Sequence, residues 1–142
     1  VTEADIDDIV AVARERGMDG MIVSNTTVAR PDWLKDRQAK ETGGLSGKPV
    51  FAPSTRVLAQ VHQRAEGQFP LIGVGGVDSA ETAFAKIEAG ATLVQFYTAM
   101  VFKGPGLARD IVEGLAAICR REGVDGIGRL VGRRAAEIAT DQ

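Results

Sequence analysis

Three short apolar runs constrain this chain most, because each is closed by polar or glycine residues and stretches of helical period separate them. Met21-Ile22-Val23 leads into Ser24-Asn25-Thr26-Thr27, Pro70-Leu71-Ile72 into Gly73-Val74-Gly75-Gly76, and Leu93-Val94 into Gln95-Phe96-Tyr97-Thr98. Runs of this kind read as strands. Barrels and doubly wound sheets place ligand sites at the C-terminal ends of such strands.

The intervening segments read as helices. Residues 2–16 carry an approximate capping box, Thr2 with Asp5, and an apolar stripe of Ile6, Ile9, Val10 and Ala13 that stops at Gly17. Strand 19–24 follows. Residues 28–53 have neither period and contain Pro31, Gly43-Gly44, Gly47, Pro49 and Pro53, so they read as an irregular functional loop. A second helix is predicted from Ser54, with Val57, Leu58 and Val61 inward, ending at Gly67 and Pro70 before strand 71–74. Asp78 or Ser79 caps a third helix, with Ala83, Phe84 and Ile87 inward and Gly90 as its stop. Strand 92–96 leads to a fourth helix from Pro105 to Arg121, with Leu107, Ile111, Leu115 and Ile118 on its buried face. Residues 126–142 read as a tail with a short helix over 126–139.

This alternation implies parallel β/α units. Three strands cannot close a barrel, and an eight-stranded one needs about 250 residues. The fold class expected is therefore α/β, the last three β/α units of a TIM (β/α)8 barrel, with residues 1–142 forming part of one domain. A small three-stranded open sheet is the alternative.

Composition narrows the function classes. A hydrophobic content of 44% fits a globular core. No apolar run approaches the roughly 20 residues that span a bilayer. The acidic start lacks a signal-peptide pattern, and Val1 is not an initiator methionine, so a natural start further upstream is expected. Net charge is -2 with the 17 basic residues dispersed, and acidic residues interleave the Arg120-Arg121, Arg129 and Arg133-Arg134 cluster. That argues for a solvated helix face and against a nucleic-acid partner. Cys119, the sole cysteine, allows no internal disulfide and suits a reducing cytoplasm.

The candidate site residues sit at the strand ends. Gly73-Val74-Gly75-Gly76 permits close backbone approach and offers amides to an anion, although a tight turn without a ligand has the same pattern. Tyr97-Thr98 offers amides, a hydroxyl and an aromatic wall, or simple core packing. Asn25 and Thr26 suit a small planar ligand with imide or carboxylate groups, since Asn both donates and accepts; the commoner fate of a lone Asn is a turn or cap. His62 reads as a surface histidine, Cys119 as half-buried, and Trp33 as an anchor of the irregular loop. No Ser-His-Asp arrangement, paired carboxylates or metal spacing stands out.

Four stretches together resemble the C-terminal part of dihydroorotate dehydrogenase, class 2, the quinone-dependent type. They are Asp19 to Thr27, Glu41 to Pro49, Ile72 to Gly76, and Ala89 to Thr98 continuing through Phe102-Lys103-Gly104-Pro105. The likeness extends over about residues 2–125. Tyr97 and the 41–49 loop resemble class 2 rather than the soluble class 1. The resemblance implies a β/α barrel that uses FMN to oxidise dihydroorotate to orotate in pyrimidine synthesis. It puts Ser24, Gly47, Gly76, Tyr97 and Thr98 on FMN-contacting positions, and Asn25 and Thr26 on positions that hold the pyrimidine. It also puts Val101 and Pro105 near the quinone route. Ser24 stands where many relatives carry Thr, and both supply a hydroxyl.

By the same resemblance, the catalytic serine base, an FMN-contacting lysine and the membrane-facing helical extension belong to earlier parts of such an enzyme. No catalytic base is therefore assigned here. Quinone and membrane contacts are expected through that N-terminal part, at the cytoplasmic side of a bacterial-type cell membrane. Two readings compete. One is a non-catalytic flavin- or phosphate-binding half-barrel that dimerises; the other is a different barrel oxidoreductase or phosphate-binding synthase. Asn25-Thr26 and the 43–49 loop weigh against the second.

Overall fold

The computed structural model describes residues 1–140. Three strands, β1 (Met21–Val23), β2 (Leu71–Val74) and β3 (Leu93–Gln95), form one parallel sheet in the order β1-β2-β3. Among the described residues, six α-helices accompany it: α1 (Glu3–Glu15), α2 (Phe51–Ala65), α3 (Ala80–Glu88), α4 (Thr98–Lys103), α5 (Leu107–Glu122) and α6 (Ala135–Thr140). Strands alternating with helices in one parallel sheet form consecutive β/α units.

Register explains why the sheet has two unlike faces. Val23 pairs with Gly73 and Gly73 with Val94, and this face meets the helices. Val23 and Leu71 lie in one core with Ile6 and Val10 of α1 and Leu58, Ala59 and Val61 of α2. A second core packs Val77 and Ala83 against Leu107 and Ile111 of α5. On the opposite face Ile22, Ile72 and Leu93 align across the three strands, and Ile22 and Leu93 stay 58% and 61% exposed. Strands buried on both faces are the rule in parallel sheets, so this row needs a cover.

Local chemistry sets the element ends. The Thr2 backbone N–H donates to Asp5 Oδ2 (2.7 Å) and the Asp5 N–H to Thr2 Oγ1 (3.2 Å), which closes the expected capping box. For α3 the cap is Ser79 rather than Asp78; its hydroxyl accepts from the Thr82 N–H. Gly17 and Gly123 take left-handed conformations just past α1 and α5 (φ 60° and 67°).

Several boundaries differ from expectation. β1 and β3 are three residues each, shorter than the predicted 19–24 and 92–96, because the ladder extends only where β2 offers partners. Helix α2 begins at Phe51, three residues before Ser54, and takes Pro53 into its first turn, where a missing N–H costs nothing. The apolar Ala99-Met100-Val101-Phe102 stretch forms the separate helix α4, too short to show a period, which Gly104 ends at φ 79°. Helix α5 accordingly starts at Leu107, after Pro105. The predicted helix over 126–139 is split into a 3-10 turn (Ile127–Leu130) and α6, with Gly132 at φ 73° between them. Positions 141 and 142 of the predicted tail lie outside the described residues.

The C-terminal segment docks by charge as well as by packing. Arg133 pairs with Glu88 (2.6 Å) and Glu122 (2.7 Å), Arg134 with Glu137 (2.5 Å), and Arg129 with Asp125 (3.3 Å). The basic cluster seen in the sequence is thus matched by carboxylates of α3, α5 and its own segment.

Candidate active-site cleft

The C-terminal ends of all three strands open onto one cleft of about 690 Å³. After β1, Ser24 follows Val23 across a cis peptide bond, and Asn25 and Thr26 come next. Asn25 Oδ1 accepts from the Thr26 N–H (2.7 Å), so its carbonyl shapes the turn. Its amide nitrogen has no protein partner among the described residues. The chain then leaves on a long excursion that an antiparallel bridge closes: the Leu45 N–H donates to Thr27 O (2.7 Å) and the Thr27 N–H to Leu45 O (3.1 Å). Gly44 lies directly against Thr26, where a Cβ would fall 1.8 Å from Thr26 Oγ1.

The excursion has its own hub. The Arg30 guanidinium donates to the carbonyls of Ala39 (2.8 Å), Glu41 (2.9 Å) and Gly43 (2.7 Å), with Thr27 and Ala29 also in reach. Five donors on one planar fork can satisfy a whole loop of carbonyls. Trp33, expected to anchor the loop, is 62% exposed, and Arg30 performs that task. An isolated arginine in aperiodic sequence carries no signal for such a role.

After β2, Gly75 and Gly76 take positive φ (103° and 73°). A Cβ on Gly76 would lie 2.5 Å from Phe51 Cβ and 2.9 Å from the Phe51 backbone nitrogen. This turn therefore presses onto the start of α2, which only glycine allows. After β3, Tyr97 is 72% exposed, and Thr98 Oγ1 meets Ser46 Oγ at 3.0 Å, tying the 45–50 loop to the third strand end. Gly47 (φ 77°) packs against the Thr98 methyl group, where a Cβ would sit 3.1 Å away.

All the site residues nominated from the sequence, Ser24, Asn25, Thr26, Gly47, Gly76, Tyr97 and Thr98, line this cleft. So do Ser46, Lys48, Asp78, Phe96, Phe102 and Lys103, none of which the sequence analysis nominated as a site residue. Asp78 holds the two lysines: Oδ2 lies 3.2 Å from Lys48 Nζ and 3.7 Å from Lys103 Nζ, while Lys103 Nζ donates to the Asp78 carbonyl (2.6 Å). Desolvation opposes ionisation of Asp78. The Lys48 hydrogen bond and both lysine charges outweigh it and hold the carboxyl below its usual range. Two cations against one carboxylate leave this rim attractive to an anion.

His62 lies elsewhere. It is half-buried rather than on the surface, in a hollow of about 330 Å³ beside Leu71 and Thr92 at the strand starts. Cβ atoms on Gly90 and Gly132 would come within 2.2 and 2.3 Å of its ring, and burial pushes its pKa down. Its ring serves as a strut under the C-terminal segment. Cys119 is half-buried as expected.

A parallel β/α array whose strand ends converge on one glycine-lined cleft is the arrangement of a barrel-type α/β protein. The chain belongs to the dihydroorotate dehydrogenase family, whose sequence model matches residues 1–119. It is 52% identical over 139 residues to a dihydroorotate dehydrogenase (quinone) of Bradyrhizobium sp. (strain BTAi1), covering 97% of this chain and 38% of the relative. It is 59% identical over 131 residues to the protein of the same name from Rhizobium leguminosarum bv. trifolii (strain WSM2304), covering 92% of this chain and 36% of that one. The crystal structure of the Eimeria tenella enzyme in complex with ferulenol superposes with a TM-score of 0.89 at 38% identity, over 93% of this chain and 35% of the other. The chain thus spans somewhat over a third of the length of these relatives.

Proposed function

We propose that this chain supplies the flavin-phosphate and pyrimidine-facing wall of a quinone-type dihydroorotate dehydrogenase. The reading is carried by one observation: seven residues picked from three strand ends and a distant loop share a single cleft in a chain of this family. FMN fits the residues present. Gly47 and the Gly75-Gly76 turn present backbone without side chains to the cleft, and the Lys48–Asp78–Lys103 rim suits a phosphate. FMN, when bound, supplies the hydride acceptor for conversion of dihydroorotate to orotate.

The chain's own residues bind and orient. Backbone amides of Gly76 and of the Tyr97-Thr98 turn face the phosphate, and the Ser24 hydroxyl and Gly47 complete the cofactor contacts. Asn25 and Thr26 hold the pyrimidine, with the Asn25 amide nitrogen available to a ring carbonyl. Val101 and Phe102, exposed on α4, and Pro105 border the quinone route. The proton-accepting serine, the quinone contacts and the membrane surface belong to the remaining length of the enzyme.

The Ile22-Ile72-Leu93 row, exposed at Ile22 and Leu93, favours one further reading, a flavin-binding half-barrel that buries this face against a second copy. One experiment separates them. A full-length polypeptide carrying this chain, purified and assayed with dihydroorotate and a quinone, is expected to show flavin absorbance and turnover. Flavin without turnover in the full-length protein favours the half-barrel; absence of flavin from a folded sample overturns both.

A further inference from the structure

Lys86 is the one lysine of α3 and is completely buried. Ammonium groups are costly to bury, and among the described residues no carboxylate pairs with this one. Its Nζ donates to Ser54 Oγ (2.6 Å), lies 3.5 Å from the Phe51 carbonyl oxygen and 5.3 Å from the Phe51 ring centre. Burial alone pushes its pKa down to about 7. A methionine here would avoid that penalty, so the retained amine calls for a function.

Its partners supply one. Ser54 Oγ touches the Gly75 carbonyl oxygen (3.3 Å) and the Val50 carbonyl oxygen (2.6 Å), and a Cβ on Gly75 would fall 2.7 Å from it. Phe51, the other Lys86 partner, is the residue onto which Gly76 packs. One amine therefore fastens α3 to the first turn of α2 at the two residues that support the Gly75-Gly76 turn. The sheet makes room for it: a Cβ on Gly73 would come 3.2 Å from Lys86 Cβ and 3.0 Å from Leu58 Cδ2.

We propose that Lys86, acting through Ser54 and Phe51, is a positioning residue that sets the Gly75-Gly76 turn for the phosphate of a phosphorylated flavin. This deepens the reading given above and rests on it. Lys86 does not line the cleft. It fixes the height of the turn, and so acts on the phosphate end of the flavin while leaving the ring end alone.

The test compares FMN with riboflavin, which lacks the phosphate, by fluorescence titration of the flavin-free full-length polypeptide. Lys86→Met is expected to weaken FMN about tenfold, the scale of one lost charged hydrogen bond, and to leave riboflavin within about twofold. Lys86→Gln, which keeps a donor, is expected to restore part of the FMN preference. Ser54→Ala, which breaks the link and keeps the amine, is expected to lower the preference as Lys86→Met does, and decides the matter should the lysine variants fold poorly. Parallel weakening of both flavins, or an unchanged FMN preference in a folded Lys86→Met or Ser54→Ala protein, overturns the proposal while the site reading stands. A parent protein that binds FMN no better than riboflavin overturns the phosphate-site reading, and this proposal with it.

Discussion

Asn25 and Lys86 show how one residue's surroundings choose between two fates. The Asn25 carbonyl is taken by the Thr26 N–H, so the turn-forming role weighed from the sequence is real, yet the amide end stays open to the cleft. Asn25→Ala in the full-length enzyme is therefore expected to lower kcat/KM for dihydroorotate by about 5- to 150-fold, the range of a buried hydrogen bond worth about 1–3 kcal/mol, with FMN content unchanged. Unaltered kinetics would leave Asn25 only its turn. Lys86 makes a prediction about pH. Its folded pKa, about 7, lies below the ordinary lysine value of 10.5. Below pH 7 both folded and unfolded states carry the proton, and the full burial penalty applies. Between the two values the folded state releases its proton while the unfolded state keeps it, so stability rises with pH. The slope approaches about 1.4 kcal/mol per pH unit and vanishes above 10.5. In urea titrations the parent protein should gain on Lys86→Met as pH climbs from 7 to 10, with the variant the more stable at pH 7. A pH-independent difference would place the amine in solvent.

At the scale of elements, what could be read in advance is what has a period or a cap. The Thr2–Asp5 box, the α2 face of Val57, Leu58 and Val61 and the α3 face of Ala83, Phe84 and Ile87 are local patterns, and each is capped or buried as its spacing implies, Val57 only in part. The strand-end residues were legible too, because glycine and polar side chains closing an apolar run leave a mark in the sequence. The 28–45 excursion was not: its order comes from Arg30 reaching carbonyls 9 to 13 residues further on, a contact with no periodic trace. Helix α4 was hidden for the same reason, being less than two turns long. Nor does sequence spacing reveal that Lys48 and Lys103 share Asp78. The Arg30 hub carries its own prediction. Arg30→Ala strands several carbonyls and should release the loop while the cores of α1, α2 and α5 remain packed. Trypsin cleavage after Lys35, Arg37 or Lys40 is expected to accelerate by about an order of magnitude, with a far smaller change in Tm. Equal cleavage rates for variant and parent would mean that another contact holds the excursion.

The whole molecule is a one-sided sheet, and that decides what residues 1–142 do alone. Helices cover the Val23-Leu71 face; Ile22 and Leu93 on the other stand more than half exposed, and β1 and β3 each present an unpaired edge. Open parallel edges beside an apolar face are sites of association. On the proposed reading the cleft is one wall of a site: it has amides, hydroxyls and an anion-attracting rim, but Asp78, its one carboxylate among the described residues, is committed to two lysines. Dihydroorotate oxidation needs a base within hydrogen-bond reach of the proton it removes, together with a hydride acceptor held opposite. An aspartate held ionised by two ammonium groups is a poor proton acceptor, because its affinity for a proton is lowered. The isolated polypeptide is therefore expected to associate in a concentration-dependent way on light-scattering chromatography. With added FMN and a quinone it should show no dihydroorotate-dependent quinone reduction above the free-FMN blank. Supplying the complementary part of a full-length relative, fused or as a second polypeptide, should bury Ile22 and Leu93, abolish association and restore flavin binding and turnover together. Turnover by the isolated polypeptide, its mass verified intact, would require a base among the cleft residues described here and would return Asp78 to consideration.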